Sequence, residues 1–303
     1  MLIKSRYAFL LVSIISLSIS GCFFSETRSN AQQFDVKLMW KNSALDCQTT
    51  FNIGEKNKTW FIEQLQFFIS DIEVGSSTLG WKKLNLANTP FQARNTALLG
   101  TNCKDNNVLL DVNNTAESKI KSKANWAIEL ATDSNHVLDE YSKIRFTLGV
   151  PFEINHLNPI SQPSPLNLPS MFWIWQTGHK FMRLELATNQ EQWLFHLGST
   201  GCKSASVMRS PQYNCLYPNR FNFQLPLVKN NQGQFILNVD LAALLKGVEL
   251  SASSSCQSEQ DNKSCQQLFQ NLSLNNSIAN NARVDGVFKA TKSQYESEGN
   301  LVE

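Results

Sequence analysis

Four histidines occur in the 303-residue chain, His136, His156, His179 and His196, and imidazole is the side chain most used to hold copper or zinc. His156 follows "LGVPFEIN", just past a strand that Pro151 ends, and His196 stands in "WLFHLGSTGC". His179 closes the aromatic stretch "MFWIWQTGHKF", which spends two of the seven tryptophans, Trp173 and Trp175. On a strand, residues two apart share a face, so both indoles are expected side by side on one side of a sheet. His136, in "TDSNHVLDE", reads as a polar surface loop. Spacing alone makes no metal motif of two histidines forty residues apart. A lone strand histidine is usually a hydrogen-bonded structural residue, and paired strand aromatics usually pack a core. Hydrolytic chemistry has little support. There is no Gly-x-Ser-x-Gly elbow, P-loop, His-Glu-x-x-His or nucleotide glycine fingerprint, and Ser199 beside its glycines has no partner readable from order.

The cysteines point to an oxidising compartment. Lys4 and Arg6 precede an apolar run from about Ala8 to Ile19, and Ile19-Ser20-Gly21-Cys22 has the form of a bacterial lipobox. Residues 1–22 are therefore expected to be a lipoprotein signal, with Cys22 lipidated, and 23–33 a tether to one folded domain over 34–303. That places the protein in the cell envelope, lipid-anchored, on the outer membrane or facing the periplasm. Without Lys4 and Arg6, 25 basic residues face 25 acidic ones, so charge gives no reason to expect nucleic acid. The other six cysteines are an even set, as in a disulfide framework, and no Cys-x-x-Cys suggests zinc. Of 15 possible connectivities, proximity favours Cys202–Cys215 and Cys256–Cys265, leaving Cys47–Cys103.

The elements that must position these residues are mostly strands. "FDVKLMW" alternates Phe34, Val36, Leu38 and Trp40; Leu65, Phe67 and Ile69 share a face, as do Ile144, Phe146, Leu148 and Val150. Met182, Leu184 and Leu186 alternate with Arg183 and Glu185; Trp193, Phe195 and Leu197 oppose His196; Phe221, Phe223, Leu225 and Leu227 repeat the device. Such alternation predicts antiparallel strands with one face in a core. Nineteen phenylalanines fit β packing. Helix signals are confined to "DLAALLKG" and "QQLFQNL", while 117–131 is ambiguous. "NPISQPSPLNLPS", 158–170, reads as a long stiff loop from which Trp173 and Trp175 begin a new strand. The expected fold is mainly β: an antiparallel β-sandwich with long disulfide-pinned loops and one or two short helices.

Five segments occurring in order, "FTLGVPFEINH", "MFWIWQTGHKFMRLEL", "FHLGSTGC", "CLYPNRFNFQL" and "CQSEQDNKSC", resemble the MbnP-like proteins, the metallo-mystery-pair four-cysteine family. The resemblance runs from about Phe34 to Phe288 and is most specific between 146 and 220. It implies an exported copper-binding β protein, not itself an enzyme, with a role in copper acquisition or storage. It also implies a partner, a di-haem cytochrome c peroxidase of MauG type. In characterised relatives this partner oxidises a tryptophan to kynurenine, which helps form a mononuclear copper site with histidines. On this chain Trp173 or Trp175 matches the Trp-x-Trp element, and His156 and His196 match the ligand elements, with His179 as a further candidate. Two departures stand out. Gly178-His179-Lys180-Phe181 replaces the usual Gly-Tyr-Lys-Phe, which reads more as exchange of a surface aromatic than as an added ligand. Cys256-Gln257-Ser258-Glu259 replaces Cys-Met-Ser-Gly and removes a soft thioether. The competing expectations are a structural or adhesive envelope lipoprotein without metal and a copper redox protein with an open coordination position.

Overall fold

Period-two alternation is realised as strands wherever a hydrophobic face meets another sheet. The computed structural model describes residues 32–54, 57–104, 124–132, 138–230, 234–274 and 286–290. Cys22, most of the expected tether, His136 and residues 117–123 lie outside the described residues. The strands are β1 (Gln33–Trp40), β2 (Ser43–Ala44), β3 (Thr50–Ile53), β4 (Lys58–Ser76), β5 (Gly80–Lys83), β6 (Gln92–Ala93) and β7 (Thr96–Asn102). They continue as β8 (Ala127–Glu129), β9 (Lys143–Leu148), β10 (Lys180–Ala187), β11 (Gln192–Gly198), β12 (Phe221–Pro226), β13 (Phe235–Asp240) and β14 (Phe288–Ala290). Among the described residues three α-helices interrupt them: α1 (Phe152–Asn155), α2 (Leu241–Leu244) and α3 (Lys263–Ser273). Two of these fall where "DLAALLKG" and "QQLFQNL" place them. The third, α1, is a single turn after Pro151, where the sequence shows only the end of a strand.

Two sheets pack face to face. The smaller runs β14-β13-β1-β2 with β8 also on β1; the larger runs β11-β10-β4-β7-β6 with β3, β5, β9 and β12 attached. Among the described strands all pairings are antiparallel except β1 with β13, which is parallel; the isolated Phe195–Cys256 bridge is parallel too. The 19-residue β4 is the spine, pairing with β3, β5, β7, β9 and β10. Phe288 of the small sheet joins the layers. Its ring meets Phe67 at 6.0 Å, Phe146 at 5.2 Å and Phe223 at 4.6 Å, all edge-on contacts from the large sheet. Met182, Leu184, Leu186, Trp193, Phe195 and Leu197 complete the inner face of β10 and β11.

One face-count is corrected. Phe68, next to Phe67 and therefore pointing the other way, is also fully buried. It packs edge-on against His179, with ring centroids 5.6 Å apart. The outer face of the large sheet is therefore covered here too, by the 150–180 segment. The three disulfides are Cys47–Cys103, Cys202–Cys215 and Cys256–Cys265. The first ties the β2–β3 connection to the residue after β7, the second closes the neck of the loop after β11, and the third pins the edge of β11 to α3. Among the described residues no helix is long and apolar enough to cross a membrane.

Candidate functional site

The tryptophan pair does not begin a strand. β10 starts at Lys180, and Phe172–His179 forms a closed turn: Phe172 bridges His179, Trp173 N–H donates to the Gly178 carbonyl at 3.0 Å, and Gly178 N–H donates to that of Ile174 at 2.7 Å. Gly178 is the reason. Its φ of +78° is left-handed, and a Cβ there would lie 2.5 Å from the Asn155 side chain. The two indoles consequently leave the common face expected of them and go to different neighbours.

Trp173 lies over the outer face of β10 and β11. A Cβ on Gly198 would come within 2.5 Å of the Trp173 ring, so the missing side chain is what lets the indole settle on the backbone. His196, two residues earlier on β11, points to that same face and opposes Arg183 on β10. Its Nε2 lies 3.1 Å from Glu185 Oε1, which also accepts from Arg183 Nε at 2.6 Å, while Glu185 Oε2 accepts from Lys104 Nζ at 3.0 Å. Burial alone would raise the Glu185 pKa, but the bonds from His196, Arg183 and Lys104 outweigh it and hold the carboxyl far below its ordinary range. An ionised carboxylate accepts only, so His196 must carry its proton on Nε2. Burial, together with the positive charges of Lys180 and Arg183, lowers the His196 pKa against the pull of Glu185, so the ring is neutral at pH 7. Its Nδ1 is thus a lone-pair nitrogen, and it is buried with no hydrogen-bond partner.

Trp175 goes with His156. Its carbonyl oxygen lies 3.2 Å from His156 Nδ1, and its own Nε1 is buried without a partner. A carbonyl can only accept, so Nδ1 carries the proton and Nε2 the lone pair. Asn155 enforces the same choice. Its Oδ1 accepts the His179 backbone N–H at 2.7 Å, which turns Nδ2 toward His156 Nε2 at 3.2 Å. Burial lowers the His156 pKa against the Trp175 bond, leaving the ring neutral. The Cys202–Cys215 loop closes over this corner. Cys215 Sγ is 3.6 Å from His156 Nε2, the Ser210 hydroxyl donates to the His156 carbonyl, and Gln176 N–H donates to that of Val207 at 3.2 Å.

His179 is not a surface residue. It is fully buried, and the exchange for a surface aromatic expected of it is corrected by the oxygens around it. Nε2 faces the Leu166 carbonyl at 2.9 Å and Nδ1 the Asn155 carbonyl at 3.1 Å, so neither nitrogen offers a lone pair to open space. Burial nevertheless outweighs both bonds and lowers its pKa. Ser199 donates to the Pro218 carbonyl and has no nucleophile geometry. Gln257, where the thioether is missing, is exposed, with its N–H on Glu259. Among the described residues, two groups of three or more His, Cys, Asp or Glu are close enough to share a metal: His156 with Cys202 and Cys215, and Cys256 with Glu259 and Cys265. His196 belongs to neither. Asn155, Glu185 and Arg183 are the working residues that sequence reading missed. Only the charge alternation of "MRLEL" hinted at the last two.

No curated protein sequence gives a significant match. Among solved structures, MbnP from Methylosinus trichosporium superimposes with a TM-score of 0.61 at 17% identity, covering 86% of this chain and 97% of that one, which is a likeness of fold. The family model described as MbnP matches residues 29–262, more than three quarters of the sequence. With the paired sheets, the three disulfides and the Trp-x-Trp turn in place, the chain belongs to the MbnP family.

Proposed function

We propose that the protein is an exported, lipid-anchored copper-binding protein, itself no enzyme, that serves copper acquisition or storage. His156 and His196 would hold the copper. The observation that carries this reading is that one nitrogen of each imidazole is fixed as a donor by its partner. The other nitrogen, Nε2 of His156 and Nδ1 of His196, is left as a lone pair, the donor type copper takes. Glu185 behind His196 and the Trp175 carbonyl behind His156 are the outer partners that set ring orientation at metal sites. Two imidazole lone pairs, each backed by an outer partner, support the choice of copper. When bound, copper supplies a one-electron couple and Lewis acidity. Glu185 and Asn155 fix the tautomers, the Trp173–Trp175 turn covers the face, and the Cys202–Cys215 loop packs against His156.

The reading includes oxidation of Trp173 or Trp175 to kynurenine by a di-haem partner of MauG type. The orphaned Trp175 Nε1 favours that residue, since opening its ring gives the nitrogen a lone pair. Producing the chain together with that enzyme tests this part. Elemental analysis is expected to find copper, and the Met171–Phe181 peptide to show a tryptophan that has lost one carbon and gained one oxygen. An unmodified peptide in copper-loaded protein would remove the oxidation from the reading. Absence of copper would favour a metal-free structural role, for which the Asn155 amide already capping His156 Nε2 speaks.

A further inference from the structure

We infer that Cys202, Cys215 and His156 form a redox-gated site for a thiophilic d10 cation, Cu(I) or Zn(II), closed as the disulfide and opened as the dithiol. The site uses neither His196 nor the tryptophan rings, so it goes beyond the copper reading above. Its three ligand atoms, His156 Nε2 and the two sulfurs, all lie within 4.8 Å of one another. Cys215 Sγ stands 3.6 Å from Nε2. Metal–nitrogen and metal–sulfur bonds of about 2.05 and 2.3 Å at a tetrahedral angle put their ligand atoms about 3.6 Å apart, so this pair already has the separation a shared ion requires.

The imidazole is oriented for the role. The Trp175 carbonyl holds the proton on Nδ1, which leaves the Nε2 lone pair on the sulfur side, met only by the Asn155 amide at 3.2 Å. His156 and Cys215 are both buried, whereas Cys202 is half-buried at the neck of the loop beside Gly201. Separating the sulfurs therefore requires movement mainly at the exposed end. The other grouping lacks these features. Cys256 and Cys265 have only exposed Glu259 for a third ligand, whose Oε2 already accepts the Gln257 N–H, and no imidazole. Two thiolates and one imidazole suit soft and borderline cations.

The opening step balances with a dithiol reductant. Its thiolate attacks one sulfur, the Cys202–Cys215 bond breaks, and the reductant closes to its own disulfide as two electrons and two protons pass to the cysteines. The incoming cation then displaces both thiol protons to solvent.

Co(II) is the probe, because its thiolate charge-transfer absorption reports sulfur ligation directly. The full chain is titrated oxidised, and again after phosphine reduction and removal of the reductant. The expected result is no thiolate band in the oxidised chain and one cobalt per chain, displaceable by Zn(II) or Cu(I), in the reduced one. Cys202→Ser/Cys215→Ser should abolish the band although the other four thiols remain. His156→Ala and His156→Gln should both weaken binding at least about tenfold. A band that survives the double cysteine variant would overturn the proposal, as would His156 variants that bind normally. So would a reduced chain that binds no cobalt, whether near-ultraviolet circular dichroism finds it folded or not. Cu(II) binding by the oxidised protein, dependent on His196, tests the other reading, so either can fail alone.

Discussion

A neutral imidazole has one donor and one acceptor, and for two of the histidines the partners settle which is which. For His156 they are a carbonyl and an amide and for His196 a carboxylate, whereas His179 faces two carbonyls, which both accept and so select neither tautomer. Asn155 is next to His156 in sequence, but spacing does not reveal any of these partnerships. Glu185 and Arg183 arrive across the β10–β11 ladder, and Asn155 depends on a helical turn that Pro151 starts. The histidines were therefore legible as types, and their roles were not. Gly198 gives a sharp test at this scale. Gly198→Ala puts a Cβ against the Trp173 ring and 2.9 Å from the His179 carbonyl oxygen, so stability should fall by about 1–3 kcal/mol in urea titration. Tryptophan fluorescence should shift with it, and an unchanged spectrum would place the ring elsewhere. Glu185→Ala leaves Arg183 and the His196 Nε2 proton without their carboxylate, while Lys104, largely exposed, keeps Glu63, so the change should cost about 1–3 kcal/mol by the same measurement.

At the scale of elements, strands were readable because their alternation is set by two packed faces, as in Met182, Leu184 and Leu186. The Trp173–Trp175 segment misled because Trp-x-Trp has strand period while Gly178, three residues later, folds it into a turn. The short cysteine spacings were enough to pair Cys202 with Cys215 and Cys256 with Cys265. The loop closed by Cys202–Cys215 also tests easily. Replacing both cysteines by serine should lower unfolding stability by about 3 kcal/mol and loosen the Gln176–Val207 contact over His156. Hydrogen exchange at Gln176 reads that loosening; unchanged protection there would mean the loop is held without its disulfide.

Across the whole molecule the two sheets share one core, in which Phe288 meets three rings of the large sheet. Phe288→Ala removes the contacts to Phe67, Phe146 and Phe223 and should destabilise by about 3–5 kcal/mol, more than any single surface change. Acid stability follows from the buried imidazoles. His156, His179 and His196 all have pKa values lowered from 6.5 by burial, so the folded chain resists protons that the unfolded chain takes up. Stability should be full above about pH 6.5 and fall as pH drops below it through the folded-state values. Glu185 adds a second loss below 4.5, because its lowered pKa stabilises the fold only while the unfolded carboxylate would also be ionised. Thermal melting across this range checks both windows, and a flat profile between about pH 7 and 5 would contradict the first.

The central claim is that His156 and His196 hold copper, and Cu(II) titration of the oxidised protein against His156→Ala/His196→Ala tests it most directly. The account predicts one copper per chain in the wild type and binding weaker by at least about 100-fold in the double variant. Equal, weak binding by both would contradict it.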